Sequence, residues 1–278
     1  MSKAANVTVV FLSRGIPNGV EAFRRFISSY DDCPAELDHR LLVILKGWRV
    51  VEHMEEVRLE VNARNGVCVE MPDDGFDLGA YFRVAEQIET EWVCFLNTHT
   101  RIQSPGWLRK MYAAAAEPMI VAIGATGSWE SGLTNATRAF RNAGGRSILR
   151  RLVAIAFALI WFKPFPNPHV RSNVLLTKVS VFRVFASSAR IPRAKRWAHV
   201  LESGRVGFSA SLLRKGYKLR IVDADGYNYA PNQWRGSGLF RGDGRSRLLA
   251  VDNQTELFER SSDAERRFLR EAAWGKIE

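Results

Sequence analysis

The sequence predicts an α/β fold: a mostly parallel sheet with helices on both faces. Three observations carry this. Short runs rich in valine, isoleucine and leucine recur along the first half of the chain, segments with apolar residues at helical spacing separate them, and most runs end in glycine, proline, asparagine or aspartate. Strand and helix alternating at this interval build parallel sheets whose crossovers cover both faces.

Val7–Leu12 is β-branched and apolar and reads as a buried strand ending in the turn-forming stretch Ser13–Gly19. Val20–Tyr30 follows as a helix, with Phe23, Phe26 and Ile27 on one face. Leu41–Leu45 is a second strand ending at Lys46-Gly47, and Val67–Val69 a third ending in Pro72-Asp73-Asp74-Gly75. Leu78–Thr90 is helical, with Asp77 at its start as a capping acid. Trp92–Leu96 is a fourth strand running into Asn97-Thr98-His99-Thr100-Arg101, and a helix opens near Ser104 as N-cap with Pro105 in the first helical position. The strand from Ile120 turns glycine-rich at Gly124 and Gly127 but lacks the lysine and helix of a phosphate loop. Later come a strand at Asn173–Lys178, a helix opening around Glu202-Ser203 and closed by Gly216, a strand at Tyr217–Val222, and a mixed-charge helix at Ser262–Trp274. The chain reads as one domain over 1–278, in two halves that meet near residue 130, the second ending in a helical tail.

Charge is distributed very unevenly. The formal excess is +11, yet Ser131–Leu201 contains thirteen Lys and Arg and no acid, so the remainder is near neutrality. An anionic partner is expected against this block. Inside it, the apolar run Leu152–Phe162 is flanked by Arg150-Arg151 and Lys163. Eleven residues fall short of the ~18 needed to span a bilayer. Two readings stand for the run: a buried core helix, or a helix lying on an anionic membrane surface. No nucleic-acid-binding module accompanies the basic residues, so no nucleic acid is expected as partner. Cys33, Cys68 and Cys94 have no metal or redox spacing and read as reduced thiols of a cytoplasmic protein, with peripheral attachment to the inner face of the membrane as the refinement.

In parallel sheets ligands sit at the carboxyl ends of the strands. That rule singles out Arg14, Lys46, Asp74, Asp77, Asn97, His99 and Arg101. The phrase Leu96-Asn97-Thr98-His99-Thr100, followed by Pro105-Gly106-Trp107-Leu108, resembles the nucleotide-sugar-dependent glycosyltransferases of the GT-A fold, in particular the family of inverting bacterial enzymes that build surface polysaccharides. Asp73–Tyr81 is similar to that family's segment beside the donor nucleotide, and Arg214-Lys215-Gly216-Tyr217 to the end of its catalytic-base helix. The resemblance covers roughly 7–130 and 170–225.

The resemblance implies a Rossmann-like GT-A sheet with an acceptor-side extension, a nucleotide-diphosphate-sugar donor, and a glycan or polyprenyl-diphosphate-linked acceptor. It implies Glu202 as catalytic base, although Ser203 replaces the family's second acid. Arg205, one turn on, is placed to touch a phosphate or orient Glu202, and Trp234 with Arg235 would form a lid over the diphosphate. Trp129, Glu130, His169 and Arg171 are the acceptor-side candidates, Trp129 either stacking on a sugar or serving the core. The family's Asp-x-Asp, which holds Mg²⁺ or Mn²⁺, is Asn97-Thr98-His99 here. Either His99 and Asn97 retain Mn²⁺ or Mg²⁺, or cationic side chains such as Arg101 stabilise the diphosphate, or the two residues cap a turn. A catalytically inactive GT-A partner subunit is the alternative function that this change allows.

Overall fold

The computed structural model describes residues 6–142 and 148–276. In chain order the elements are β1 (Val7–Arg14), α1 (Gly19–Asp32), β2 (His39–Lys46), α2 (Val51–Asn62), β3 (Val67–Met71), α3 (Phe76–Ala85), β4 (Trp92–Leu96), β5 (Arg101–Ile102), α4 (Trp107–Ala113), β6 (Ile120–Gly124), β7 (Gly127–Ser128), α5 (Gly132–Asn142) and α6 (Ile148–Trp161). They continue with β8 (His169–Val170), β9 (Val174–Lys178), α7 (Val179–Ser188), α8 (Lys195–Ser203), α9 (Phe208–Arg214), β10 (Lys218–Val222), β11 (Asn228–Tyr229), α10 (Trp234–Ser237), β12 (Ala250–Val251), α11 (Asn253–Arg260) and α12 (Asp263–Trp274).

Eight strands form the main sheet in the order β3-β2-β1-β4-β9-β6-β10-β11. The β1–β2, β2–β3, β1–β4 and β6–β10 pairs are parallel, while β9 runs antiparallel to both its neighbours and β11 antiparallel to β10. Strand alternation divides the core between the two faces. Val10, Leu12, Val93 and Phe95 meet Tyr81, Phe182 and Phe208 on one side. Val9, Phe11, Cys94 and Leu96 meet Phe23, Phe26, Trp107 and Leu108 on the other. Phe11 and Phe26 stack with centroids 3.8 Å apart, and each such buried ring contributes about 1.5–3 kcal/mol. Both faces are covered, as the near-continuous apolar strands require.

Because β9 is reversed, its amino end lies at the same sheet edge as the carboxyl ends of β1, β2, β4 and β6. Residues 171–173 therefore join the strand-tip turns, which no local pattern in the sequence announces. The C-terminal tail is integral: β12 pairs with β5, and Ala273 and Trp274 are buried in the main core.

Several expectations change. The helix after Ser104 begins at Trp107 with Gly106 in the left-handed region (φ 68°) as N-cap; Ser104 instead accepts from Lys110 Nζ at 2.9 Å. Asp77 lies inside the first turn of α3, whose N-cap is Gly75 (φ 67°), and caps nothing. Glu202 sits in the last turn of α8 rather than opening a helix. Leu152–Trp161 of the apolar run lies in α6, where Ala158 is the buried residue, and Phe162 follows the helix, so a core helix does not describe the run. No helix among the described residues is long and apolar enough to cross a membrane.

Candidate functional site

The turns after β1 and β2 pack backbone to backbone: Gly15 donates to the Lys46 carbonyl at 2.8 Å, and a Cβ on Gly15 would lie 2.3 Å from the Gly47 oxygen. This closeness brings the two strand-end cations together, with different fates. Lys46 is 1% exposed and donates to the carbonyls of Asp74 (2.7 Å) and Phe76. Burial, with Arg14 nearby, holds its ammonium below the usual lysine range. Its role is to fix the Asp74–Phe76 turn, which corrects the expectation that it contacts the donor. Arg14 stays half-exposed, with a carboxylate oxygen of Asp73 at 3.9 Å, and can receive an anion.

Asp74 is gripped by Arg83 through two hydrogen bonds of 2.7 and 2.9 Å, and that pairing holds its carboxyl below the usual aspartate range. Of the two acids in this turn, Asp73 is the freer. Asp77 receives no hydrogen bond among the described residues; burial pushes its carboxyl up, against the pull of Arg14, Lys46 and His99. Glu202 acts on it electrostatically as well.

Glu202 Oε1 accepts from Ser172 Oγ (2.6 Å) and Ser172 N (3.3 Å). No described residue donates to its Oε2. Burial raises this carboxyl, but the Ser172 bond and the nearby His169, His199 and Arg171 outweigh it, leaving Glu202 below the usual glutamate range. Burial also keeps His169 below its ordinary range. Arg171 pairs with fully buried Asp252 at 2.7 Å and lies over the Phe240 ring at 4.1 Å. One residue beyond Ser172, the Asn173 carbonyl accepts from Asn97 N (3.0 Å) and Thr100 Oγ1 (2.9 Å). A short chain of contacts thus joins the tip of β4 to Glu202.

Asn97 Oδ1 accepts from His99 N (3.1 Å) and Thr100 Oγ1 (3.0 Å), an asparagine turn. Among the described residues no group of three or more His, Cys, Asp or Glu side chains could hold a metal ion. With Asn97 engaged by its own backbone, the residues present do not form a cation site by themselves.

The remaining candidates fall elsewhere. Arg101 pairs with Glu256 and lines, with His99 and Arg25, a cavity of 440 Å³. Trp234 is fully buried, its Nε1 donating to the Tyr229 carbonyl at 2.9 Å; it is core, not lid, because Gly127 leaves room for its ring. Arg235 is exposed in a glycine-rich loop beside a separate 450 Å³ cavity. Trp129 donates to the Pro231 carbonyl at 2.8 Å and packs edge-to-face on Trp274 and Phe165, which makes it structural. Glu130 binds Arg241 (3.1 Å) and Asn135 (2.8 Å). His169 is buried and donates from Nδ1 to the Asn167 carbonyl at 2.9 Å. Arg205 is exposed and makes no bond to Glu202 among the described residues; Ser172 does the orienting.

A large cavity, about 1640 Å³, is walled on one side by Arg14, Lys46, Asp73 and Asp74 and on the other by Trp161, Trp197, Val200 and Leu201. Arg190, Arg193 and Arg214 also line it. Arg190 and Arg193 belong to the acid-free basic block and Arg214 to the phrase resembling the end of the family's base helix, but no local pattern assigned the three to one cavity. Ile191 seats on the donor-side turn, where a Cβ on Gly75 would lie 2.5 Å from its Cγ2. Buried side-chain atoms without a partner gather at this edge: Ser13 Oγ and Arg14 Nε at the end of β1, Thr98 Oγ1 after β4, and Asn173 Nδ2 before β9. Such orphans are rare in native proteins, and a polar ligand would satisfy them.

No family model and no curated protein sequence matches the chain. Among solved structures it is similar to a mannosyltransferase from Pyrobaculum calidifontis in complex with GDP-Man and Mn²⁺, with TM-score 0.51 and 11% identity over 85% of this chain and 61% of that one. Further likenesses are to the galactosyltransferase LgtC in complex with donor and acceptor sugar analogs (TM-score 0.44, 10% identity, 78% and 73% of the two chains) and to CMP:2-keto-3-deoxy-manno-octonic acid synthetase complexed with CTP (0.43, 11%, 78% and 89%). The fold is GT-A-like, a Rossmann-type α/β sheet shared with the mannosyltransferase structure. At these identities the likeness speaks for the fold, and activity has to be argued from the site.

Proposed function

We propose that the protein is a glycosyltransferase that moves a sugar from a nucleotide-diphosphate donor to a hydroxyl of a glycan carried on a polyprenyl diphosphate, in the building of bacterial surface polysaccharide. The supporting observation is Glu202: a carboxylate held below the usual glutamate range, oriented through one oxygen by Ser172 with no described donor to the other, and acting electrostatically on Asp77. In a single inverting displacement the acceptor oxygen attacks the anomeric carbon and its proton passes to Glu202 Oε2. The bond from that carbon to the diphosphate breaks on the opposite face, and the electron pair leaves with the nucleoside diphosphate. Arg14 meets the departing charge; Asp73 and Asp77 are placed to accept from ribose hydroxyls or a base N–H. The half to about residue 130 serves the donor and the remainder the acceptor.

An inactive partner subunit is the second reading, favoured by the Asn97 turn where the resembling enzymes carry acids. Thermal shift with uridine and guanosine diphosphates, with and without Mn²⁺, followed by transfer from a panel of nucleotide sugars, separates the two. Stabilisation together with transfer that is lost in Glu202→Gln supports the enzyme. Stabilisation without transfer from any donor supports the subunit, and transfer unchanged in Glu202→Gln rejects the base.

A further inference from the structure

Helix α6 presents its apolar side chains outward. Ile148, Leu149, Leu152, Val153, Leu159 and Ile160 are 51–67% exposed. At about 100° per residue they share one arc of roughly 140°, with Ala156 inside it. Ala158 and, just beyond the helix, Phe162 face inward, packing with Val200 of α8. Arg150 and Arg151 project on either side of the arc by the same helical count. Lys195 and Arg196 open α8, which is held against α6 by Trp161–Trp197 and Phe157–Trp197 ring contacts at 5.0 and 5.3 Å. The whole stretch Ser131–Leu201 is free of acids.

We infer that α6 docks the protein on an anionic lipid surface, lying in the interface with its aliphatic arc among the acyl chains and its cations at the headgroups. An outward aliphatic arc of this size needs cover. Charge decides the occupant. A second copy seated on the same face would bring Arg150, Lys195 and Arg196 against their own counterparts with no acid to offset them. Anionic headgroups supply the missing charge, and a helix this short and this polar at its flanks lies on a bilayer rather than across it. Trp161, the last residue of α6, and Trp197 both line the large cavity, so a bilayer under α6 adjoins the cavity that Arg14 closes at its other wall. The inference rests on the surface alone and only its placement of the cavity deepens the lipid-linked acceptor reading.

The test is co-sedimentation of the full chain with phosphatidylcholine vesicles, with and without phosphatidylglycerol. Leu152→Glu/Leu159→Glu is compared with Leu257→Glu, an equally exposed leucine on α11. Binding to anionic vesicles is expected to weaken about tenfold or more in the α6 double variant and on removal of phosphatidylglycerol, while Leu257→Glu stays within about twofold of the parent. Lys195→Glu/Arg196→Glu, which leaves the aliphatic arc intact, should weaken binding and flatten its salt dependence. Absence of parent binding to anionic vesicles overturns the inference, as does undiminished binding by the α6 double variant. A parent dimer in sedimentation that the α6 variant dissolves, with vesicle binding unaltered, assigns the face to self-association instead. Transfer to a soluble acceptor is unaffected by the α6 changes, so failure here is distinct from failure of the catalytic reading.

Discussion

Two regions depart from ordinary globular chemistry in opposite directions. At the strand tips, polar atoms are buried without partners: Ser13 Oγ, Arg14 Nε, Thr98 Oγ1 and Asn173 Nδ2. On α6, aliphatic side chains are exposed without cover. Each costs free energy in the isolated chain, the first through unmade hydrogen bonds and the second through hydrated apolar surface. What the difference teaches is the kind of surface each region leaves unmatched: polar side-chain atoms at the tips, aliphatic side chains on the helix.

The comparison can be sharpened by substitutions that touch one region and spare the other. The largest effect is expected from Glu202→Gln, which removes the base and lowers the turnover rate about 10²–10⁴-fold without changing nucleoside diphosphate affinity. The pH profile follows from the same residue. Its folded pKa is depressed, so its ionised form stabilises the fold above the unfolded value and that contribution is lost as pH falls through the folded one. The acid limb of the rate profile should therefore lie below the usual glutamate range; a limb near neutrality assigns the proton to another group.

Asp252→Ala comes next. It strips the partner from Arg171, whose side chain is 13% exposed, and removes the cap of α11. Breaking such a buried pair costs about 3–5 kcal/mol, read as a lowered denaturant midpoint. Arg14→Ala should weaken nucleoside diphosphate binding by about tenfold, the scale of one charge-assisted contact, in a calorimetric titration, and leave vesicle binding as it was. The smallest change is Asp77→Asn. Burial raises that carboxyl, so its charge opposes folding at neutral pH and the opposition relaxes as pH falls. The amide should raise the melting temperature of the ligand-free protein slightly while weakening donor binding; a lower melting temperature would mean that Asp77 is a structural acid.

Most of the sheet was legible because β-branched runs bounded by glycine and proline report strands locally. Val7, Leu41, Trp92 and Ile120 all fall in strands as the pattern required. The carboxyl-end rule led to Arg14, Asp77 and the turn after β4. Illegible was anything fixed by tertiary partners. Lys46 and Arg14 look alike as cations after strands, and only the Asp74 and Phe76 carbonyls divide a structural lysine from a free arginine. Trp234 read as a lid because its neighbours are glycine and arginine, yet the space over Gly127 buries it. Ser172 was invisible because a reversed β9 brings it to Glu202 from thirty residues away. For α6 the sequence left core and membrane surface open, and solvent exposure speaks against the core reading alone.

The account's central claim is that the strand-tip edge grips a diphosphate within reach of Glu202, and it is tested most directly by a structure with a nucleoside diphosphate bound. The account predicts the diphosphate oxygens at hydrogen-bond distance from Arg14, in the large cavity, with their leaving side toward Glu202 Oε2. A nucleotide seated instead beside Arg101 and Glu256, or in the glycine-rich loop around Arg235, would contradict it.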